Sequence, residues 1–250
     1  IVNRVWRWHF GRGIVDTPND FGKMGKEPSH PELLDWLATD FRDNGQSLKR
    51  LHRMILTSAT YQQSSAINSD SAAKDSDNVY YWRMNRKKLE AEAIRDSVLK
   101  VSGKLDEAMF GPSFQDFVIE KPAHSPHYQY HLHNPEDAKS FRRAVYRFLV
   151  RSQQQPFMTT LDCADPSLLV DKRNESLSAL QALVLLNNGF MLVQSKEFAK
   201  RLERDFPKPQ QVENAFLIAL GRKPTQSELE SLTALATQYS LADLARVLFN

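Results

Sequence analysis

The last hundred residues keep their apolar side chains at three- and four-residue intervals, and this spacing constrains the fold more than any other feature. "SLSALQALVLLNN" and "FMLVQSKEFAKRLERDF" each read as a helix burying one stripe. "QVENAFLIALGRKPTQSELESLTALATQY" reads as two helices around Gly221-Arg222-Lys223-Pro224, with Thr225 and Glu228 at capping-box spacing. The opening residues repeat the pattern: Val2, Val5, Trp6 and Phe10 share a helical face, and Gly11 or Gly13 can close it in the left-handed region. "SHPELLDWLATDFRDNG" predicts a further helix, with Ser29 and Glu32 as a capping box and Leu33, Leu34, Trp36, Leu37 and Phe41 facing inward. "SLKRLHRMILTSATYQQ" predicts another, with Leu48, Leu51, Met54 and Ile55 inward and His52 beside them. A helix from about Lys87 to Val101 packs through Leu89, Ala93, Ile94, Val98 and Val101.

The middle of the chain changes period. In "HYQYHLH", Tyr128, Tyr130 and Leu132 alternate with His127, Gln129, His131 and His133, the pattern of a half-buried strand. "RAVYRFLVR" alternates in the same way. The expected fold is therefore mainly α, a multi-helix domain with a small antiparallel β element at about residues 127–151. Residues 64–78, rich in Ser, Asp and Ala, read as a flexible loop between a helical part at 1–63 and the remainder at 79–250, the two packing as one domain. The most apolar run, Leu177 to Val193, is broken by Gln181, Asn187, Asn188 and Gly189, so it predicts a buried helix and its continuation, with no transmembrane segment.

Charge narrows the partners. With 33 basic and 30 acidic residues the net charge is +3, too balanced for a nucleic-acid-binding surface. A single cysteine, Cys163, excludes an internal disulfide and a cysteine-based metal cluster. The chain begins "IVNRVWRWHF" and stops in "LADLARVLFN", both within amphipathic runs, and it reads as a segment of a longer polypeptide.

Four stretches carry a resemblance: "NRVWRWHFGRGIVDTPNDFGKMGKEPSHPELLDWLA", "LHRMILTSATYQQSS", "FLVRSQQQPFMTTLDCADPS" and "LSALQALVLLNNGFM". Together they resemble the planctomycete-specific domain of unknown function, the C-terminal part of large proteins that also carry planctomycete-type cytochrome c domains. The resemblance implies an extracytoplasmic, multidomain parent, periplasmic or at the cell surface, and supplies no mechanism. No Cys-x-x-Cys-His haem-attachment motif is present, so no haem cofactor is expected in this segment and any haem c belongs elsewhere in the parent.

Three irregular segments hold the candidate site residues. The loop "DTPNDFGKMG" is bracketed by His9, Arg12 and His30 and contains Asp16 and Asp20, a set suited to acid–base work or to satisfying backbone amides. In "KPAHSPHYQYHLHNP", His131 and His133 on one strand face would chelate zinc or a similar ion, the alternative being an exposed polar face; His127 and Tyr128, in "HSPHY", follow the family pattern. In "TTLDCADPS", Asp162 and Asp165 flank Cys163, where they serve either chemistry or the turn, and their charge disfavours a thiolate unless Arg173 folds over the sulfur. Trp8 lies off the first helix's stripe and is expected at the surface. Three functions remain open: a binding or assembly domain working with other domains of the same polypeptide, a polysaccharide or a redox partner; a hydrolase or lyase on extracellular polysaccharide; and a metal-binding domain.

Overall fold

The computed structural model describes residues 1–121, 124–170 and 172–250. Among these are eleven α-helices and one two-stranded antiparallel sheet, so the chain is mainly α with a small central β element, as its periodicity predicts. It divides into two compact units, Ile1–Lys88 and Leu89–Asn250.

The first unit holds α1 (Val2–Phe10), α2 (Pro31–Asp43), α3 (Leu48–Leu56) and α4 (Ser69–Lys74). Its core gathers Val2, Val5, Trp6, Phe10, Ile14, Leu37, Leu51, Ile55 and Tyr81. Each fully buried aliphatic or aromatic side chain of this kind stabilises the fold by roughly 1.5–3 kcal/mol. Gly11 ends α1 in the left-handed region at φ 78°. Beyond it, the buried Asn3 side chain takes the place of a strand partner for Val15, donating to its carbonyl and accepting from its amide, both at 2.9 Å.

Three expectations for this unit fail. Ser29 does not form a capping box; its amide and hydroxyl both donate to the Ile14 carbonyl, and α2 starts one residue later with His30 as N-cap and Pro31 at its first position. Trp36 is exposed, because it lies about 100° around the helix from Leu37 and outside the face shared by Leu33, Leu34, Leu37 and Phe41. Leu48, at the first position of α3, is also exposed. The segment read as a flexible loop contains α4, capped by the Asn68 side chain on the Ser71 amide. Asp75 then accepts from the amides of Val79 and Tyr80, and the fully buried Asn78 donates to the Arg83 carbonyl.

The second unit is built around α8 (Gly189–Asp205), which packs on α5 (Ala91–Ser102) and α11 (Leu241–Leu248). One side of it joins Ala91, Val98, Phe157, Met158, Leu161 and Met191; the other joins Phe198, Leu202, Val212, Ala215, Leu244 and Ala245. The remaining helices are α6 (Pro156–Thr160), α7 (Ala179–Asn187), α9 (Gln211–Leu220) and α10 (Gln226–Gln238). The Thr225–Glu228 capping box forms as expected. Helix α5 begins at Ala91 rather than near Lys87, and its buried stripe is Ala91, Arg95, Val98, Leu99 and Ser102, leaving Leu89 and Ala93 exposed.

The sheet sits earlier than expected. Strand β1 (Val118–Glu120) pairs with β2 (His127–Gln129), placing Glu120 opposite His127 and Ile119 opposite Tyr128. The outer edge of β2 is met by a side chain instead of a third strand: the Tyr128 amide donates to Gln153 Oε1 at 3.2 Å, and Gln153 Nε2 donates to the Tyr128 carbonyl at 2.7 Å. Residues Tyr130–Leu132 turn into a 3-10 helix, so His131 and His133 do not project from a strand. "RAVYRFLVR" is not a strand either. It opens with a 3-10 turn at Ala144–Tyr146, tied by the Ala144 amide to Asp96 Oδ1, and continues as extended chain bridged to Phe114. Its alternation breaks there: Arg147 is buried and Phe148 is exposed.

Candidate functional site

In the first unit, the candidate residues around the 9–30 loop separate into two groups. His9 meets His52, Nε2 to Nδ1, at 2.7 Å, with Tyr61 edge-on to its ring. Burial, then the neighbouring His52 and Lys87, hold the His9 pKa below the usual imidazole range. Asp16 lies 3.2 Å from Lys26 and 3.9 Å from Arg12. Asp20 accepts the Gly22 amide at 2.9 Å, and Thr17 joins its carbonyl to the Lys26 amide, so these groups shape the loop. His30 stacks obliquely on Tyr81, whose buried hydroxyl accepts from Trp6 Nε1 at 2.9 Å and donates to the Arg12 carbonyl at 3.1 Å. Trp8 is exposed, as expected.

In the second unit the turn at Asp162 is internally satisfied. Asp162 adopts φ 66° and accepts from the Ser176 amide at 2.8 Å and from Gln181 Nε2 at 3.0 Å. Asp165 accepts the Ser167 amide at 2.8 Å. Arg173 does fold toward Cys163, but it grips Glu92 with two hydrogen bonds of 2.6 and 3.0 Å, and the thiol donates to the same carboxylate at 3.6 Å. Burial and then the Glu92 charge push the Cys163 thiol up, which opposes thiolate formation.

His127 is exposed at the start of β2, and Pro122 and Ala123 of the histidine-rich stretch lie outside the described residues. His131 and His133 instead line a cavity of about 250 Å³, together with Asp116, Tyr130, Arg95 and Phe190. Among the described residues no group of three or more His, Cys, Asp or Glu is placed to hold a metal ion. Tyr128 stands outside the cavity wall, with its ring edge-on to Phe117 at 5.0 Å.

Two ionisable residues of the cavity wall, Asp116 and Arg95, escape the sequence reading. Asp116 is carried there by two hydrogen bonds that zip its segment to the 3-10 turn: the Phe114 amide to the Tyr146 carbonyl at 3.0 Å, and the Phe148 amide to the Phe114 carbonyl at 2.8 Å. This brings Asp116 Oδ2 to 3.9 Å from Arg147 Nη1, an attraction without a hydrogen bond. Asp116 is 8% exposed, and its Oδ1 is buried with no hydrogen-bond partner. Burial pushes its pKa above the usual carboxylate value despite the opposing pull of Arg147 and Arg95. Arg95 rises from α5 between the Phe114 and Phe190 rings, 5.0 and 5.5 Å from their centroids. It donates to the carbonyls of Arg142, at 2.8 Å, and Ser140, and it reaches Asp96 at 3.4 Å. Burial pulls its pKa down to about 10. A signal for two of these residues was present: Arg95 is a charge inside the apolar stripe of α5, and Asp116 interrupts "FQDFVI".

The arrangement offers a buried carboxylate, a guanidinium held on aromatic faces, and two imidazoles around one small hollow. Such convergence of polar groups on an apolar-walled cavity is the usual form of a small-ligand site. No curated protein and no solved structure matches the chain. Residues 1–236 match the family model PSD1, described as a protein of unknown function (DUF1553), and the chain belongs to that family.

Proposed function

We propose that this chain is a ligand-binding module of a larger extracytoplasmic protein, and that its site is the cavity walled by Asp116, Arg95, Tyr130 and His133. The observation that carries the reading is the lining of that cavity: a buried carboxylate, a guanidinium and two imidazoles border it together with the rings of Tyr130, Phe157 and Phe190. The extracytoplasmic setting and the cytochrome-bearing parent rest on the motif resemblance. A panel of small polar compounds, followed in two-dimensional NMR spectra of the whole chain, tests the site. At least one compound is expected to shift the Tyr130, His133 and Phe190 resonances in a saturable way; a panel that leaves all three unmoved overturns it.

A second reading, a hydrolase or lyase on extracellular polysaccharide, is favoured by one observation. Burial keeps Asp116 protonated to higher pH than an ordinary carboxylate, the state required of a general acid. It predicts release of reducing ends from polysaccharide and their loss in Asp116→Asn; absence of turnover across polysaccharide classes ends it.

A further inference from the structure

We infer that the cavity takes a small, uncharged ligand bearing several hydroxyls, of the class of a single pyranose ring or a cyclitol; this rests on the cavity being a ligand site. Three features point the same way. The first is the carboxylate in the wall. Asp116 lines the cavity, and an ionised carboxylate only accepts, so a ligand atom that meets it must carry a hydrogen. An acceptor-only anion would set a second negative charge against it.

The second is the guanidinium in the same wall. Arg95 lines the same cavity and engages Asp96, Ser140 and Arg142, which uses three of the group's five N–H donors. An ammonium ligand would satisfy Asp116 but would sit beside this cation. A hydroxyl resolves both demands, because one oxygen can donate to a carboxylate and accept from a guanidinium or an imidazole. His131 and His133 extend the polar side of the hollow, so more than one hydroxyl finds a partner.

The third is size and surface. The cavity holds about 250 Å³, below the roughly 300–1,000 Å³ of pockets that enclose drug-sized ligands. One six-membered ring suits that room. Phe157, Phe190 and Tyr130 contribute aromatic surface to the same wall, against which the C–H face of a hydroxylated ring packs while its edge meets the polar groups.

The test is an NMR titration of the full chain with four probes at constant ionic strength: glucose, myo-inositol, acetate and methylammonium. Glucose or myo-inositol is expected to move the Tyr130, His131, His133 and Phe190 resonances to saturation at millimolar concentration, with acetate and methylammonium leaving them in place. Asp116→Leu, shown folded by its spectrum, is expected to weaken that binding tenfold or more, and Asp116→Asn, which keeps a neutral acceptor, to weaken it less. Saturation by acetate or methylammonium without a response to either hydroxylated probe would overturn the ligand class and leave the cavity as a binding site. Failure of all four overturns the inference, and the wider compound panel then decides the site itself. Unchanged affinity in Asp116→Leu would also overturn it.

Discussion

A carboxylate buried against a cavity makes the pH response of Asp116 a direct readout of its surroundings. Its pKa is raised in the fold, chiefly by burial. Below the unfolded value, near 3.9, the group is protonated in both states and costs nothing extra. As pH rises from there through the raised folded value, the folded state holds the proton longer than the unfolded chain and stability falls. Asp116→Asn removes this loss, so its melting temperature is expected to exceed that of the wild type at pH 7 and to match it near pH 3.5. Differential scanning calorimetry at the two pH values measures this, and a variant less stable than wild type at pH 7 would show that the Arg147 attraction outweighs desolvation. Cys163 gives a second residue-scale prediction. With its thiol pushed up by burial and by Glu92, alkylation by iodoacetamide at pH 7.5 is expected to run about tenfold or more slower than for a free cysteine, because only the thiolate reacts. A rate equal to or above that of glutathione would contradict the environment described.

At the scale of the element, the helices and the presence of a small central sheet were legible, and the path of the chain after that sheet was not. A helical stripe is written locally: Val2, Val5, Trp6 and Phe10 bury one face of α1 because their spacing matches 3.6 residues per turn. Thr225 and Glu228 likewise name their own cap. "RAVYRFLVR" alternates like a strand, yet its backbone is held by Asp96 and Phe114, which lie far away in sequence, and no local period encodes such partners. The same holds for the site. Histidines stood out by number, whereas Asp116 and Arg95 acquire meaning only through the segments that bring them together. Gly13 tests a tertiary constraint of this kind. A Cβ there would lie 2.6 Å from the Val15 carbonyl oxygen and 2.8 Å from Asn3 Oδ1, so Gly13→Ala must push apart the Asn3–Val15 clamp. A loss of about 1–3 kcal/mol in urea unfolding is expected, the usual cost of overpacking. An unchanged midpoint would mean that the clamp contributes little.

At the scale of the whole molecule, the second unit leaves Leu168, Leu169, Val170, Leu177, Leu180 and Leu183 exposed, an unusual concentration of apolar side chains within sixteen positions. Scattered exposed leucines are ordinary, but a cluster is the mark of an interaction surface. If this chain works as a module among other domains, amide hydrogen exchange across 168–183 is expected to slow at least severalfold in the parent protein compared with the isolated chain; equal rates in both would count against a docking role for this segment. No described helix is long and apolar enough to cross a membrane.

The central claim is that the cavity bordered by Asp116, Arg95, His131 and His133 takes a hydroxylated ring. A crystal structure of the chain grown with myo-inositol or glucose tests it most directly. The account predicts ring density in the cavity with a hydroxyl oxygen within about 3 Å of an Asp116 carboxylate oxygen. Density that places the ring elsewhere, or a cavity closed by the protein's own side chains, would contradict it.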